Sequence, residues 1–289
     1  MEQILKRTHL IIGLLSLSLT SFGQLPNKVG SLINADRTLE KLAEQTTPYD
    51  AFLDIYDKNS IVFSPHPIPA LPYMKNRPNF PDIQSWEPNF AGISKSMEWG
   101  FTFGGIEFQR IGAPKRQGEY LNIWKRNRKG EWKIHLRAIA ENYGKPTIEP
   151  NFVMVEPDSA DYFKQRSQAR LDQRKDVITN NDRLFATVLR SKNELAFQEF
   201  YAENVRVVIP WNEPLYGKNA AIGFFLNQKI DVQTNWLYSD RAYSGEIAAT
   251  YGNAHLTQNG EVKRYYYIRI WQRQPDYQWR VILEFYTEE

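Results

Sequence analysis

The chain carries one pattern twice, and this repeat constrains its fold more than any other feature. Residues in 51–65 recur in 196–210, those in 96–104 recur in 244–252, and those in 120–132 recur in 267–279. The three blocks keep their order and recur at offsets between 145 and 148 residues. Self-similarity of this kind predicts two copies of one domain, which we place at 32–142 and 160–289.

The segment between the copies, 143–159, contains Gly144 and three prolines, Pro146, Pro150 and Pro157. Glycine and proline interrupt helices, and proline favours an extended chain. We therefore predict a linker at 143–159. The total length of 289 residues is also typical of two domains of ordinary size.

The first 23 residues have the order of a secretory signal peptide. Lys6 and Arg7 precede the apolar run Leu10–Leu15, and Ser21-Phe22-Gly23 supplies a small-residue cleavage site. Polar residues interrupt the apolar run well before the roughly 20 residues that a membrane span requires. We predict a signal peptide at 1–23, a secreted or periplasmic protein and no membrane anchor.

Composition excludes several classes of function. The chain has no cysteine, so disulfides, thiol nucleophiles, thiolate metal sites and a lipid-modified cysteine are excluded. Its 36 basic and 33 acidic side chains leave a formal charge of +3, which disfavours a nucleic-acid partner. His66, His135 and His255 are scattered and have no acidic cluster around them. We therefore predict no metal and no cofactor.

Within each copy, the pattern predicts helices first and strands afterwards. Thr47-Pro48-Tyr49-Asp50 and Ser191-Lys192-Asn193-Glu194 each have the pattern of a capping box that opens a short helix. Apolar and polar residues then alternate along 120–126 and 132–138, on either side of a turn at Arg128-Lys129-Gly130. This alternation predicts a β-hairpin, which copy 2 repeats. Helices that cover the apolar face of an antiparallel sheet define an α+β fold.

Short motifs strengthen the assignment. Copy 1 carries Ser96-x-Glu98-Trp99-Gly100-Phe101-Thr102-x-Gly104 and Tyr120-x-x-x-Trp124-Lys125-Arg126, and copy 2 carries Gly217-Lys218-x-Ala220-x-Ile222 and Thr250-Tyr251-Gly252. Together they resemble the DUF4440/SnoaL-like branch of the NTF2-like superfamily. The resemblance implies two tandem cone-shaped domains, each with N-terminal helices packed on a curved antiparallel sheet that often encloses a pocket. Because the family often pairs through open sheet faces, we expect an internal pseudo-dimer and a monomeric chain.

One position departs from the family pattern. The family usually places an aspartate five residues after the tryptophan of the final strand, but here Arg137 follows Trp132 and Glu284 follows Trp279. A general-base role for that aspartate therefore does not carry over to copy 1 and stays open for copy 2. Glu284 could act as an acid or base, or it could form a cross-strand ion pair with Arg269.

Strand parity places His135 and Arg137 on one face of the final strand of copy 1, with Tyr120 and Asn122 beside them. One interpretation is a polar site for an anionic or carbonyl-bearing ligand. The other is that this face meets solvent or the second domain.

Tryptophan rings offer a surface for a flat apolar ligand, or they simply fill the core. The proline-rich stretch 64–87 is either a lid or ordinary surface. The candidate ligand-binding residues are Trp86, Trp99, Tyr120, His135, Arg137, Trp236, Tyr267, Arg269 and Glu284.

No acid/base pair occurs at matching positions in the two copies, so no catalytic residue is assigned. The leading hypothesis is a protein that binds a small molecule or a partner without catalysis. The alternatives are an isomerase, lyase or hydrolase in one of the two domains, and a purely structural assembly module. An open cavity with buried titratable groups would separate these hypotheses.

Overall fold

The computed structural model describes residues 28–76, 83–109, 112–143, 152–157, 161–165 and 167–289, and only the backbone of Ile83. The predicted signal peptide at 1–23 lies outside the described residues, as do positions 77–82 of the proline-rich stretch.

Two helices open each half of the chain, as the sequence predicts, but a third helix in each half follows the first two strands. The N-terminal unit consists of α1 (Val29–Gln45), α2 (Pro48–Ile55), β1 (Tyr56–Phe63), β2 (Pro67–Pro69), α3 (Ala70–Lys75), β3 (Ile83–Ile93), β4 (Trp99–Gln109), β5 (Arg116–Arg126), β6 (Trp132–Asn142) and β7 (Val153–Val155). The C-terminal unit consists of α4 (Gln168–Ser191), α5 (Asn193–Phe200), β8 (Tyr201–Val208), β9 (Leu215–Tyr216), α6 (Lys218–Asn227), β10 (Ile230–Arg241), β11 (Ile247–Gln258), β12 (Glu261–Arg273) and β13 (Trp279–Glu288). The predicted α+β class is confirmed.

Each unit has its own sheet. The N-terminal sheet has seven strands in the order β2-β1-β6-β5-β4-β3-β7, and the C-terminal sheet has six in the order β10-β11-β12-β13-β8-β9. Neighbouring strands are antiparallel, except that β1 with β6, β3 with β7 and β8 with β13 are parallel. The predicted hairpins correspond to β5–β6 and β12–β13.

Bulges occur at equivalent places in the two sheets. The register of β5 with β6 shifts between Ile123 and Trp124, and that of β12 with β13 shifts between Ile270 and Trp271. A bulge adds one residue to one strand, so it bends the sheet and reverses the inward and outward alternation of side chains beyond it.

Each sheet is buried on two faces. One face packs on the unit's own helices, which contribute Leu39 of α1 and Phe185 of α4 to the two separate cores. The other face packs against the opposite unit, where Phe101 and Ile268 belong to one shared apolar cluster. Because both faces of each sheet are buried, the alternation of polar and apolar residues along a strand does not show which face a side chain lies on.

Equivalent residues meet where the two units touch. Ser96 Oγ lies 2.8 Å from Ser244 Oγ. The backbone N–H of Lys95 donates to Glu246 Oε1 at 2.6 Å, and that of Tyr243 donates to Glu98 Oε1 at 2.5 Å. Since Lys95 and Tyr243, like Glu98 and Glu246, are 148 residues apart, these contacts are reciprocal, as in an isologous interface.

Local predictions have mixed outcomes. Thr47 caps α2, because its Oγ1 accepts from the N–H of Asp50 at 3.1 Å. The predicted cap at Ser191 is wrong: α4 continues through Ser191, and Lys192 stands at the N-cap of α5 without a side-chain bond.

Within the predicted linker, Val153–Val155 pair with β3. Among the described helices, none combines the length and apolar character needed to cross a bilayer.

Candidate functional site

A buried carboxylate on α1 organises the polar core of the N-terminal unit. Asp36 lies on the apolar face of α1 between Leu32 and Leu39 and is wholly buried. Its Oδ2 accepts from Tyr120 Oη at 2.6 Å, and its Oδ1 accepts from Trp86 Nε1 at 3.0 Å. Burial raises the pKa of the Asp36 carboxyl above its ordinary value, and these hydrogen bonds oppose the rise.

Arg137 is the cation of the same core and is only 5% exposed. Its Nη1 donates to Asn122 Oδ1 at 2.9 Å and its Nη2 to Gln84 Oε1 at 3.3 Å, while Asn122 Nδ2 donates to Asp36 at 3.4 Å. The guanidinium carbon lies 4.6 Å from the centre of the Phe52 ring. Burial lowers the pKa of Arg137. In the described part of the chain, no carboxylate lies within ion-pair distance of this guanidinium.

A cavity of about 440 Å³, which we call the N-terminal cavity, opens beside Arg137. Its wall comes mainly from α2, α3, β1 and β6, and Pro210 and Thr287 of the C-terminal unit help to complete it. From the proline-rich stretch, Ser64, Pro65, Tyr73 and Met74 line this cavity. The volume is typical of small-molecule sites.

Other charged groups of the cavity wall have partners. Arg116 Nη1 pairs with Glu141 Oε1 at 2.9 Å, and Glu288 Oε1 accepts from Trp211 Nε1 at 2.6 Å. Arg116 and Glu141 therefore neutralise each other, whereas Arg137 and Glu288 have only neutral hydrogen-bond partners among the described residues.

The C-terminal unit carries a closed ionic core. Arg269 Nη1 pairs with Asp182 Oδ1 at 2.9 Å, and Arg269 Nε donates to Glu284 Oε1 at 2.8 Å. All three side chains are wholly buried. Three tyrosine hydroxyls donate to the two carboxylates: Tyr267 to Asp182, and Tyr201 and Tyr286 to Glu284. Although burial alone disfavours the charged form, the two carboxylates raise the pKa of Arg269 well above its ordinary value.

The two polar cores occupy equivalent positions of the repeat. The pairs are Asp36 with Asp182, Asn122 with Arg269, and Arg137 with Glu284. The arginine thus lies on β6 in the N-terminal sheet, but in the C-terminal sheet it lies on β12, the strand before the equivalent β13. Two carboxylates neutralise Arg269, whereas Arg137 faces an open cavity.

The structure brings some predicted residues together and separates others. Trp86, Tyr120 and Arg137 meet around Asp36, and Tyr267, Arg269 and Glu284 form the closed core described above. Of the two interpretations of Glu284, the cross-strand ion pair with Arg269 is present.

The prediction that His135 and Arg137 share one face is wrong. Ile123 pairs with Leu136 and Trp124 with Ile134, so His135 is the extra residue of the β6 bulge. Its Nε2 lies 3.3 Å from Tyr238 Oη of the C-terminal unit, on the side away from Arg137. Burial, and then the charge of Lys125, lower the pKa of His135 to about 4.

Two predicted tryptophans lie away from the N-terminal cavity. Trp99 Nε1 donates to Asp240 across the contact between the units at 2.8 Å. Trp236 Nε1 donates to Ser239 Oγ at 2.7 Å, and the Arg183 guanidinium lies 4.4 Å from the centre of its ring.

Sequence reasoning missed the two helix aspartates. Asp36 stands four residues after Leu32 and three before Leu39, on the apolar stripe of α1, and Asp182 repeats this placement on α4 beside Phe185. An acidic residue that recurs on an apolar stripe indicates a buried polar partner. Because Asp36 and Asp182 occupy equivalent positions of the repeat, this pattern can be read from the sequence alone.

These features define an α+β protein of two equivalent units, one with an open polar cavity and one with a closed ionic core. Within the described residues, no group of three or more histidine and acidic side chains is placed to hold a metal ion.

No protein-family model matches the chain, and no curated protein is significantly similar to it. Among solved structures, it is similar to an NTF2-like protein from Cytophaga hutchinsonii, at 17% identity over 39% of this chain and 97% of that chain, with a TM-score of 0.34. It is also similar to a ketosteroid isomerase-like protein from Erwinia carotovora atroseptica, at 14% identity over 39% and 94% of the two chains, with a TM-score of 0.34. An M. tuberculosis LEH-like epoxide hydrolase follows at 7% identity over 38% and 76%, with a TM-score of 0.31.

Proposed function

We propose that this chain is a tandem NTF2-like protein whose N-terminal unit binds a small organic anion without chemical conversion. The C-terminal unit has a structural role in this proposal, because its ionic core is already complete. The observation that carries the proposal is the contrast between Arg137 and Arg269. The first is a buried guanidinium that faces a cavity of about 440 Å³ without a carboxylate partner among the described residues, and the second has two carboxylates.

The cavity also indicates the kind of ligand. A buried guanidinium without an opposite charge is costly, so an anion that binds beside it gains more than it would at an exposed arginine. Phe52, Val62 and Phe108 are among the apolar residues of the wall. We therefore expect a carboxylate at one end of the ligand and an apolar body at the other.

Binding is preferred to catalysis because the carboxylates of the cavity wall are engaged. Glu141 pairs with Arg116, and Glu288 accepts from Trp211. A general acid or base needs a carboxyl group that is free to exchange a proton with a bound compound, and neither glutamate meets this requirement. The alternative of an isomerase, lyase or hydrolase would require turnover of a bound compound.

The experiment measures binding of aliphatic and aromatic monocarboxylates and of their neutral amides by thermal shift and calorimetry. Wild type should bind one or more carboxylates and not the matching amides. Arg137→Gln should weaken binding at least tenfold, since a charged hydrogen bond contributes about 1.5–3 kcal/mol. The exposed Arg190→Gln, on α4, should bind like wild type.

The proposal fails if wild type binds no carboxylate, or if Arg137→Gln and Arg190→Gln bind equally well. Mass spectrometry of bound compounds after incubation tests the alternative. A converted product that Arg137→Gln does not form would favour an enzyme.

Export of the protein belongs to the same proposal. The Lys6-Arg7 pair, the apolar run and the Ser21-Phe22-Gly23 site support cleavage of a signal peptide and a secreted or periplasmic location. Mass spectrometry of protein exported by a Gram-negative host should find an N-terminus at or near Gln24. An intact Met1 on exported protein would contradict this.

A further inference from the structure

A second cavity, of about 360 Å³, lies where the two units meet, and we call it the seam cavity. The N-terminal unit contributes the adjoining ends of β4 and β5. The C-terminal unit contributes the first turns of α4 and the end of β10. An occupant of this cavity would touch both units at once.

The charge of the seam cavity is positive. Its wall contains five cationic side chains, Lys125, Arg126, Arg174, Lys175 and Arg241, and three carboxylates, Glu98, Asp172 and Asp240. Five positive charges less three negative ones leave a formal charge of +2.

The protein itself already uses two of the three carboxylates. Asp240 pairs with Lys125 Nζ at 2.7 Å and accepts from Trp99 Nε1 at 2.8 Å. Glu98 accepts from Ser96 Oγ at 2.6 Å and from the backbone N–H of Tyr243 at 2.5 Å. Lys125 therefore neutralises Asp240, whereas neutral donors hold Glu98, whose negative charge is already subtracted in the formal charge of +2.

Three of the cations have no such partner. In the described part of the chain, no carboxylate lies within ion-pair distance of Arg126, Arg174 or Lys175, and all three are half-buried. Arg126 Nε is buried and has no hydrogen-bond acceptor there. Arg241 donates to the carbonyl oxygens of Gly245 and Arg174, which carry no net charge.

The N-terminus of α4 adds to the positive electrostatic potential of the seam cavity. Gln168, the first residue of this 24-residue helix, lines the cavity, and the N-cap Ser167 makes no side-chain capping bond. The first N–H groups of a helix favour an anion. This contribution supports the cation cluster and would not define a site alone.

We propose that the seam cavity binds a compact oxyanion with at least two negative charges, namely the phosphate group of a small soluble ligand. Arg126 of the N-terminal unit and Arg174 and Lys175 of the C-terminal unit supply the charge. Planar guanidinium groups match the oxygen geometry of phosphate. Because its ligands come from both units, this site is independent of Arg137 and of the N-terminal cavity.

The test titrates inorganic phosphate and pyrophosphate into the full protein by calorimetry at constant ionic strength. We expect saturable binding with one site per chain. Arg126→Gln and Arg174→Gln should each weaken it at least fivefold, because each removes a cation from one side of the cavity. Lys263→Gln, an exposed cation on β12, and Arg137→Gln should bind phosphate like wild type.

Several results would overturn the proposal. These are the absence of saturable binding, equal losses in Lys263→Gln and Arg174→Gln, or a loss in Arg174→Gln alone with Arg126→Gln unchanged. Binding of vesicles that contain phosphatidic acid, without binding of the soluble phosphates, would also contradict it. Thermal unfolding of each variant without ligand should stay close to wild type, so that a loss of binding is not a loss of folding.

Discussion

Arg137 and Glu284 stand at equivalent positions of the two units, each five residues after the tryptophan that opens β6 or β13, and carry opposite charges. Both side chains point to the helix-covered face of their sheet. Glu284 completes a buried ion pair with Arg269, whereas Arg137 meets Asn122 and a cavity. The same backbone frame thus gives one sealed core and one open site.

We predict that Arg137→Met abolishes carboxylate binding while the fold is retained. Arg137 makes no ion pair with a described residue, so the variant leaves no ion-pair partner behind, but the acceptors Asn122 Oδ1 and Gln84 Oε1 lose their donor. The free energy of unfolding in urea should fall by about 1–3 kcal/mol, the cost of an unsatisfied buried acceptor. A loss well beyond that would show that Arg137 is chiefly a structural residue.

Glu284→Gln should be strongly destabilising. It removes one of the two carboxylates that neutralise the wholly buried Arg269. Since Asp182 still pairs with Arg269, the expected cost is that of the lost charged hydrogen bond, about 1.5–3 kcal/mol. Glu288→Gln, on the exposed end of the same strand, should cost about 1 kcal/mol or less, as expected of a surface position. Equal urea midpoints for the two variants would refute the importance of the ionic core.

The stability contributed by His135 should depend on pH. Its folded-state pKa of about 4 lies below the ordinary 6.5, so the unfolded chain binds the proton more readily between these values. Stability should therefore fall as the pH decreases from about 6.5 to 4, by roughly 2–3 kcal/mol in total. His135→Gln should lose this component, and the exposed His255→Gln should keep it. Urea unfolding at pH 4.5 and 7 measures the difference.

Glu119 should make the stability of the protein depend on pH in the opposite direction. Its carboxyl oxygens are buried without a hydrogen-bond partner among the described residues, and burial raises the pKa to about 8, against the effect of Arg206. Stability linked to this group is complete below about pH 4.5 and is lost as the pH rises towards 8, by roughly 3–5 kcal/mol. Glu119→Gln should be more stable than wild type at pH 8, with the exposed Glu199→Gln as control. An unchanged pH profile in Glu119→Gln would place the ionised carboxylate in a polar environment.

The chain should be a monomer in solution. Each unit covers a sheet face of the other with apolar residues such as Phe101 and Ile268, so the face that could pair with a second chain is already occupied. Size-exclusion chromatography with light scattering should report one chain mass, at most 33.8 kDa. A concentration-independent mass of two chains would contradict the prediction.

The repeat determined the architecture at the level of the sequence. Tyr56 and Tyr201, or Trp124 and Trp271, could be aligned without a structure, and helix and strand types follow from local periodicity. Local spacing also marks Thr47 as a cap, because that interaction spans three residues. The cap at Ser191 was mispredicted because α4 extends through it, which depends on packing of the whole helix.

Tertiary structure alone decided which side chains meet. Parity along the last strand joined His135 with Arg137, but one extra residue at the bulge turned His135 towards Tyr238 and left Arg137 among the aromatic rings beneath the helices. Asp36 and Asp182 became the centres of the two cores only once α1 and α4 lay across their sheets. The sequence determined the elements because periodicity is local. The open cavity and the closed core required the structure, because charge pairing depends on contacts between residues more than 80 positions apart, as in Arg269 with Asp182.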